Sequence, residues 1–109
     1  MTVTDLQNSL SLTQVALPEG DREAEGVYIG DLLSWVMGRA QSGNVWLTIM
    51  SNLNIVAVAT LSDVSCIILC EGVTLDETVK NTAEAKGINI LATDMTAYEA
   101  AKKLAELGL

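Results

Sequence analysis

The chain has 109 residues, half of them hydrophobic, and this length is typical of one domain with one packed core. Its net charge of −8, with no histidine and only six basic residues, repels a phosphate backbone, so we expect no binding to nucleic acid. Its apolar runs are far shorter than the ~20 residues of a membrane helix, and no leader pattern opens the chain. We therefore expect a cytoplasmic protein that does not insert into a membrane.

The first elements predicted along the chain are a helix, a strand and an exposed loop. Thr4 is a candidate N-cap for the helix, and the stretch 12–17 has the composition of a strand. The only proline, Pro18, is followed closely by Gly20 within a charged cluster, which indicates a loop. A short strand is expected at 26–29.

A helix with an unusually wide apolar surface is predicted next, opened by Gly30 and Asp31 and ended by 42–44. Its apolar residues are Leu32, Leu33, Trp35, Val36, Met37 and Ala40. On a helical wheel they cover roughly 200°, wider than the ~100° stripe of a helix with one buried face. The second face is covered either by a neighbouring element or by the same helix of a second copy across a two-fold axis. The second alternative predicts a homodimer with an interface at Leu32, Trp35, Val36 and Met37.

The middle of the chain predicts two strands with an ambiguous segment between them. Residues 45–50 have the composition of a strand. In the segment 55–61, β-branched residues favour a strand, whereas Asn54 as a cap and the short gap to the next element favour a buried helix, which we predict. Residues 66–70 form a continuous apolar run, typical of a strand buried on both faces of a parallel sheet.

The last part of the chain alternates helix and strand. Thr74 and Glu77 form a candidate capping box for a helix that ends at Gly87, and a strand follows at 88–91. Thr93 and Asp94 are candidate caps of a final helix. Its predicted buried face comprises Ala97, Tyr98, Ala101, Leu104 and Ala105. This alternation predicts an α/β fold with helices packed on a mainly parallel sheet, in a single domain over 1–109.

The two cysteines predict no disulfide. If 66–70 is a strand, the Cα atoms of Cys66 and Cys70 lie roughly 13 Å apart, about twice the span of a disulfide. Without a CxxC pair or a histidine, the chain also lacks the ligands of a zinc site, and we predict no metal and no cofactor. We expect both thiols to be reduced and buried in the core.

Six residues are candidates for binding a ligand. They are Asp21, Arg22, Gly26, Asp31, Thr93 and Asp94. The first two form either a ligand contact or an ion pair in the exposed loop. The turn at Gly26 to Asp31 has the position of a phosphate site, but no phosphate-binding motif is complete and Asp31 is acidic, which favours a structural cap. Thr93 and Asp94 follow the last strand, where open α/β sheets bind ligands, although helix capping alone explains them.

The segment 20–37 resembles the signature of the DRTGG domain family, and 54–59 with 66–72 is similar to the second half of that domain. The resemblance implies a three-layer α/β/α fold with a mainly parallel sheet, similar to the N-terminal domain of HPr kinase. Members accompany CBS pairs in regulated pyrophosphatases and occur in the N-terminal region of some phosphate acetyltransferases. These contexts are regulatory and dimeric.

The chain departs from the motif that gives the family its name. Asp21 and Arg22 match it, but Glu25, Gly26 and Val27 replace the threonine and the two glycines. The carboxylate of Glu25 disfavours an anionic ligand at this position.

The leading functional hypothesis is a non-catalytic regulatory module. It dimerises through the helix around 32–37 and senses a small, nucleotide-like ligand near Asp21, Arg22 and Asp31. The first alternative is a protein-docking subunit of an enzyme or signalling complex that needs no small ligand. The second is a small enzyme that uses Cys66 or Cys70 as its nucleophile.

Overall fold

A computed structural model describes all residues, 1–109, as five helices and five strands. In chain order they are α1 (Val3–Leu10), β1 (Thr13–Ala16), β2 (Val27–Ile29), α2 (Leu33–Arg39), β3 (Val45–Thr48), α3 (Asn54–Ser62), β4 (Cys66–Leu69), α4 (Glu77–Lys86), β5 (Ile90–Ala92) and α5 (Ala97–Glu106). No helix has both the length and the apolar content needed to cross a bilayer.

The five strands form one mixed sheet in the order β1-β5-β4-β3-β2. Strands β2 to β5 are parallel, and β1 pairs antiparallel with β5. Each βαβ crossover moves one strand along in the same direction, so right-handed connections place α2, α3 and α4 on one face. Helices α1 and α5 cover the other face. The predicted α/β architecture with a mainly parallel sheet is confirmed.

A separate hydrophobic cluster fills each face of the sheet. Trp46 and Ile67 point toward α2, α3 and α4, where they pack with Val36 and Ile55. The alternate strand residues, such as Leu47, point toward α1 and α5. Every residue of β3 and β4 is buried, which confirms the prediction of a strand covered on both faces at 66–70.

The ambiguous segment 55–61 is helical, as predicted, and lies within α3. Parallel neighbours such as β3 and β4 need a crossover, and a helix supplies it while satisfying its own backbone. Asn54 is the first residue of the helix and not its cap. The amide of Asn54 donates instead to the side-chain carbonyl of Asn52, over 3.0 Å.

Two predicted helix starts are displaced along the chain. Thr2, not Thr4, caps α1, because the Thr2 hydroxyl accepts from the amide of Asp5 while the Asp5 carboxylate accepts from the amide of Thr2. The Thr4 hydroxyl donates to the carbonyl of Gly20. Helix α4 starts at Glu77 without a side-chain cap, so the capping box predicted for Thr74 and Glu77 is wrong.

The last helix is capped by Thr96 and not by Thr93 or Asp94. Thr96 and Glu99 form a complete capping box, which fixes the start of α5 at Ala97. This start also corrects the predicted buried face of α5. Ala100 and Leu104 are fully buried, whereas Tyr98 is 75% exposed. Ala105 is exposed, and Ala97 and Ala101 are half-buried.

Candidate functional site

The candidate ligand residues lie at the two opposite ends of the parallel strands, which we call the amino edge and the carboxyl edge of the sheet. Arg22 and Gly26 precede β2, at the amino ends of the parallel strands, whereas Asp31 and Asp94 follow strands at their carboxyl ends. The three-residue strand β2, about 10 Å long, separates the two groups. Asp21, Arg22 and Asp31 therefore do not line a common pocket.

At the amino edge, Arg22 is held by the end of α3. Its guanidinium lies 2.9 Å from the Asp63 carboxylate and donates to the Asp63 carbonyl over 2.7 Å. Ser42 donates a hydrogen bond to the same carboxylate. The Ser42 hydroxyl and then Arg22 hold the pKa of Asp63 below its usual value. The alternative of an Asp21–Arg22 ion pair is wrong, because Asp63 at the C-cap of α3 presents both acceptors to Arg22.

Gly26 has a backbone role at the same edge. Its φ is +77°, and a Cβ at this position would lie 3.1 Å from the side-chain nitrogen of Asn44. Its carbonyl accepts from the amide of Val45 over 2.9 Å, which starts the pairing of β2 with β3. The glycine therefore sets the entry of the chain into the sheet.

At the carboxyl edge, Asp31 joins the β2–α2 corner to the end of β3. One of its carboxylate oxygens accepts from the Thr48 hydroxyl over 2.8 Å and from the Ile49 amide over 3.0 Å. Helix α2 has no side-chain cap. The predicted capping role of Asp31 is thus wrong, and its carboxylate instead anchors one strand end to the next.

Thr93 and Asp94 line a cleft at the carboxyl ends of β4 and β5, with a volume of about 380 Å³. Its lining residues are Ser11, Thr13, Gly72, Thr74, Ala92, Thr93, Asp94 and Met95. The chain leaves β4 toward α4 on one face of the sheet and leaves β5 toward α5 on the other. Open α/β sheets bind ligands in the crevice that such diverging connections create. We call this space the carboxyl-edge cleft.

Backbone hydrogen bonds hold the two loops of the carboxyl-edge cleft together. The amide of Glu71 donates to the Met95 carbonyl over 2.8 Å, and the amide of Gly72 donates to the Thr93 carbonyl over 3.0 Å. Gly72 has a φ of +73°, and a Cβ there would lie 3.2 Å from an oxygen of Asp94. A glycine at position 72 thus lets the backbone pass close to the carboxylate.

Apart from Thr93, the hydroxyl groups of the carboxyl-edge cleft were not predicted from the sequence. Ser11 and Thr13 reach it because β1 runs antiparallel beside β5, which brings the start of the chain to the end of the last parallel strand. Thr74 reaches it because α4 starts two residues later than its predicted capping box requires. The only sequence feature that indicated a loop at this cleft was the Glu71-Gly72 pair after a buried strand.

A second cleft of about 360 Å³ adjoins the first. The two adjoin, because they share the lining residues Thr13, Thr74 and Ala92, and we call the pair the groove. The second cleft adds the half-buried apolar side chains of Val15 and Leu75. The groove therefore has a hydroxyl-rich end and a more apolar end.

The cysteines are reduced and buried, as expected. Burial raises the pKa of the Cys66 thiol to about 12 and that of Cys70 to about 11. A nucleophilic cysteine needs the opposite environment, one that lowers its pKa and exposes its sulfur. The structure thus offers no support for a cysteine enzyme.

The predicted interface residues of α2 do not share one face. Val36 is fully buried in the protein's own core, so it is removed from the interface. Leu32 and Trp35, which are 58% and 52% exposed, lie about 60° apart around the helix. Met37 lies about 160° from Trp35, on the opposite flank. The Arg39 guanidinium stacks 3.6 Å over the Trp35 ring.

The two edge strands of the sheet differ in how they are protected. The register of β1 shifts between Gln14 and Ala16, and such irregularities block pairing with a further strand. Strand β2 pairs in regular register and consists only of Val27, Tyr28 and Ile29, with Ile29 51% exposed. Its short length limits pairing with a further strand, but it carries no charged residue or proline, the other common protections of natural edges.

The model of the DRTGG domain matches residues 19–107. The chain is also similar to the crystal structure of the CBS and DRTGG domains of the regulatory region of Clostridium perfringens pyrophosphatase, determined in complex with the activator diadenosine tetraphosphate. The TM-score is 0.73 at 15% identity, and the match covers 94% of this chain and 45% of that chain. This chain therefore spans less than half the length of that structure. Comparison with curated proteins finds no match. Because the family model covers most of the sequence, the chain belongs to the DRTGG domain family.

Proposed function

We propose that residues 1–109 act together as a non-catalytic regulatory module that pairs with a second copy of itself and binds a small, nucleotide-like ligand. Membership of the DRTGG family supports the regulatory role. The similar solved structure is a regulatory region in complex with a nucleotide activator, which supports the choice of ligand class. The ligand site in this proposal is the carboxyl-edge cleft.

The observation that carries the proposal is the β2 edge, which is regular in register and has no charged residue or proline. The Gly30 amide donates a hydrogen bond to the Leu47 carbonyl of β3, and the Gly26 carbonyl accepts one from the Val45 amide of the same strand. Backbone groups alternate sides along a strand, so the amides and carbonyls of Val27 and Ile29 point away from the sheet. Unpaired groups of this kind form a template for a second strand.

A second copy fits this edge by two-fold symmetry. Two antiparallel β2 strands would satisfy each other's backbone groups and continue the sheet through both chains. Ile29 ends β2, and Leu32 and Trp35 follow it at the start of α2. In this proposal their half-exposed side chains lose water on pairing. The dimer interface proposed from the sequence is therefore narrowed to Leu32 and Trp35, with β2 added.

Sedimentation equilibrium of matched variants tests the pairing. We expect the wild type to be a dimer at micromolar concentration and Trp35→Lys to be a monomer with an unchanged circular dichroism spectrum. Leu61→Lys is the control, because Leu61 is 74% exposed and lines the groove between α3 and α4. A wild-type monomer throughout, or equal dissociation of both variants, would contradict the proposal.

A protein-docking subunit is the second candidate function. A groove of about 490 Å³ between α3 and α4 favours it, with Leu53, Ala57 and Leu61 on its walls. Leu61 is 74% exposed, and grooves of this kind accept the apolar face of a partner's helix. Co-purification of a stoichiometric protein that Leu61→Lys abolishes and Trp35→Lys does not would favour this candidate.

A further inference from the structure

We propose that the carboxyl-edge cleft recognises the vicinal hydroxyls of a ribosyl group and does not recognise phosphate. The inference rests on the proposed ligand-binding function and names the part of the ligand that the cleft holds. Asp94 and the hydroxyl groups around it carry the recognition.

The polar groups of the cleft match a diol. Asp94 is exposed, and no group of the protein donates a hydrogen bond to its carboxylate. A carboxylate only accepts hydrogen bonds, and its two oxygens suit two neighbouring hydroxyl donors. Ser11, Thr13 and Thr74 supply hydroxyls that both donate and accept, as sugar hydroxyls do. Thr93 accepts from the Met95 amide and keeps its own proton to donate.

The same edge is unfavourable for a phosphate. The N-terminus of α5, where an anion would bind, is already occupied by Glu99, whose carboxylate accepts from the Thr96 amide over 3.2 Å. Helix α4 starts with Asp76 at its N-cap and Glu77 in its first turn. Only Lys80 supplies a positive charge, and it lines the neighbouring cleft, not this one. The net charge of −8 adds to the repulsion.

The dimensions of the groove fit a nucleoside. The two adjoining clefts, of about 380 and about 360 Å³, each lie within the range of small-molecule sites, about 300–1,000 Å³. With the sugar beside Asp94, an attached flat base would extend into the second cleft. There Leu75 and Val15 provide an apolar surface for it.

Amide chemical-shift titrations with matched probes test this inference. The probes are adenosine, guanosine, cytidine and uridine, their 2′,3′-dideoxy counterparts and inorganic pyrophosphate. We expect at least one ribonucleoside to shift the amides of Gly72 and Thr93, with its dideoxy counterpart binding at least ten-fold more weakly. The Asp94→Asn substitution should weaken binding of the ribonucleoside by a similar factor. Asp21→Asn, which changes an exposed carboxylate at the opposite edge, should leave its affinity unchanged.

The outcomes separate this inference from the proposed function. Equal binding of the dideoxy counterpart, or binding of pyrophosphate at these amides, would overturn the diol inference while leaving the cleft as a ligand site. If no probe shifts the amides of Gly72 or Thr93, both the inference and the ligand-binding part of the proposed function are wrong. An unchanged affinity in Asp94→Asn would overturn the role of that carboxylate.

Discussion

Replacing Asn89 by alanine should destabilise the protein strongly, although Asn89 touches neither candidate site. The side chain is 2% exposed and joins the loop after β1 to the amino edge of the sheet. Its amide donates to the Glu19 carbonyl over 2.8 Å and to the Ser65 carbonyl over 3.0 Å, and its oxygen accepts from the Glu19 amide over 2.9 Å. One buried amide thus connects residues 70 positions apart in the sequence.

The expected loss follows from these three bonds. In the alanine variant the carbonyl and the amide of Glu19 can form hydrogen bonds with water instead. Each of these two bonds therefore contributes about 0.5–1.5 kcal/mol. Ser65 is 1% exposed, and its carbonyl would stay buried without a donor, at about 1–3 kcal/mol. The sum is about 4 kcal/mol, a large part of the ~5–15 kcal/mol that stabilises a typical domain. For a chain of this length it corresponds to a fall in Tm of roughly 12–20 °C.

Urea denaturation followed by circular dichroism measures this loss, with Asn81→Ala as the control. Asn81 is exposed within α4, where alanine is the better helix former, so the control should match or slightly exceed the wild type. A free energy of unfolding for Asn89→Ala within about 1 kcal/mol of the control would refute the structural role assigned to this side chain.

Two further predictions concern Asp63 and the cysteines. The pKa of Asp63 is lower in the folded protein, so its stabilising effect is present above about pH 4 and is lost as the pH falls and the carboxylate is protonated. The difference in urea midpoint between wild type and Asp63→Asn should therefore shrink below about pH 4, and a constant difference down to about pH 2 would contradict this. The thiols of Cys66 and Cys70, buried and with raised pKa, should react with Ellman's reagent at about pH 8 only after unfolding. Rapid reaction of the folded protein with this reagent would contradict the burial of the two thiols.

The architecture was predictable because it depends on local pattern. The apolar run at 66–70 indicated a strand buried on both faces, and the Gly87 stop signal ends α4 with a φ of +73°, as expected. Even the ambiguous segment 55–61 was resolved by the need for a crossover. The helix starts were less predictable, because Thr74 and Thr96 both precede a glutamate by three residues. Only the path of the chain out of the sheet decides that Thr96 is the one that caps.

The candidate site was only partly predictable, because it depends on contacts between distant segments. The position of Asp94 after the last parallel strand was sufficient to place it at a binding edge. The contribution of Ser11 and Thr13 depends on the antiparallel pairing of β1 with β5, which no local pattern specifies. For the same reason the sequence did not reveal that Arg22 pairs with Asp63, 41 positions away.

Hydrogen exchange at the β2 edge tests the central claim of self-pairing most directly. In a single copy the amides of Val27 and Ile29 point to solvent, so they should exchange at nearly their intrinsic rates. Pairing with a second copy predicts that both amides become protected as the protein concentration rises and that Trp35→Lys removes this protection. Fast exchange of Val27 and Ile29 at every concentration would contradict the claim.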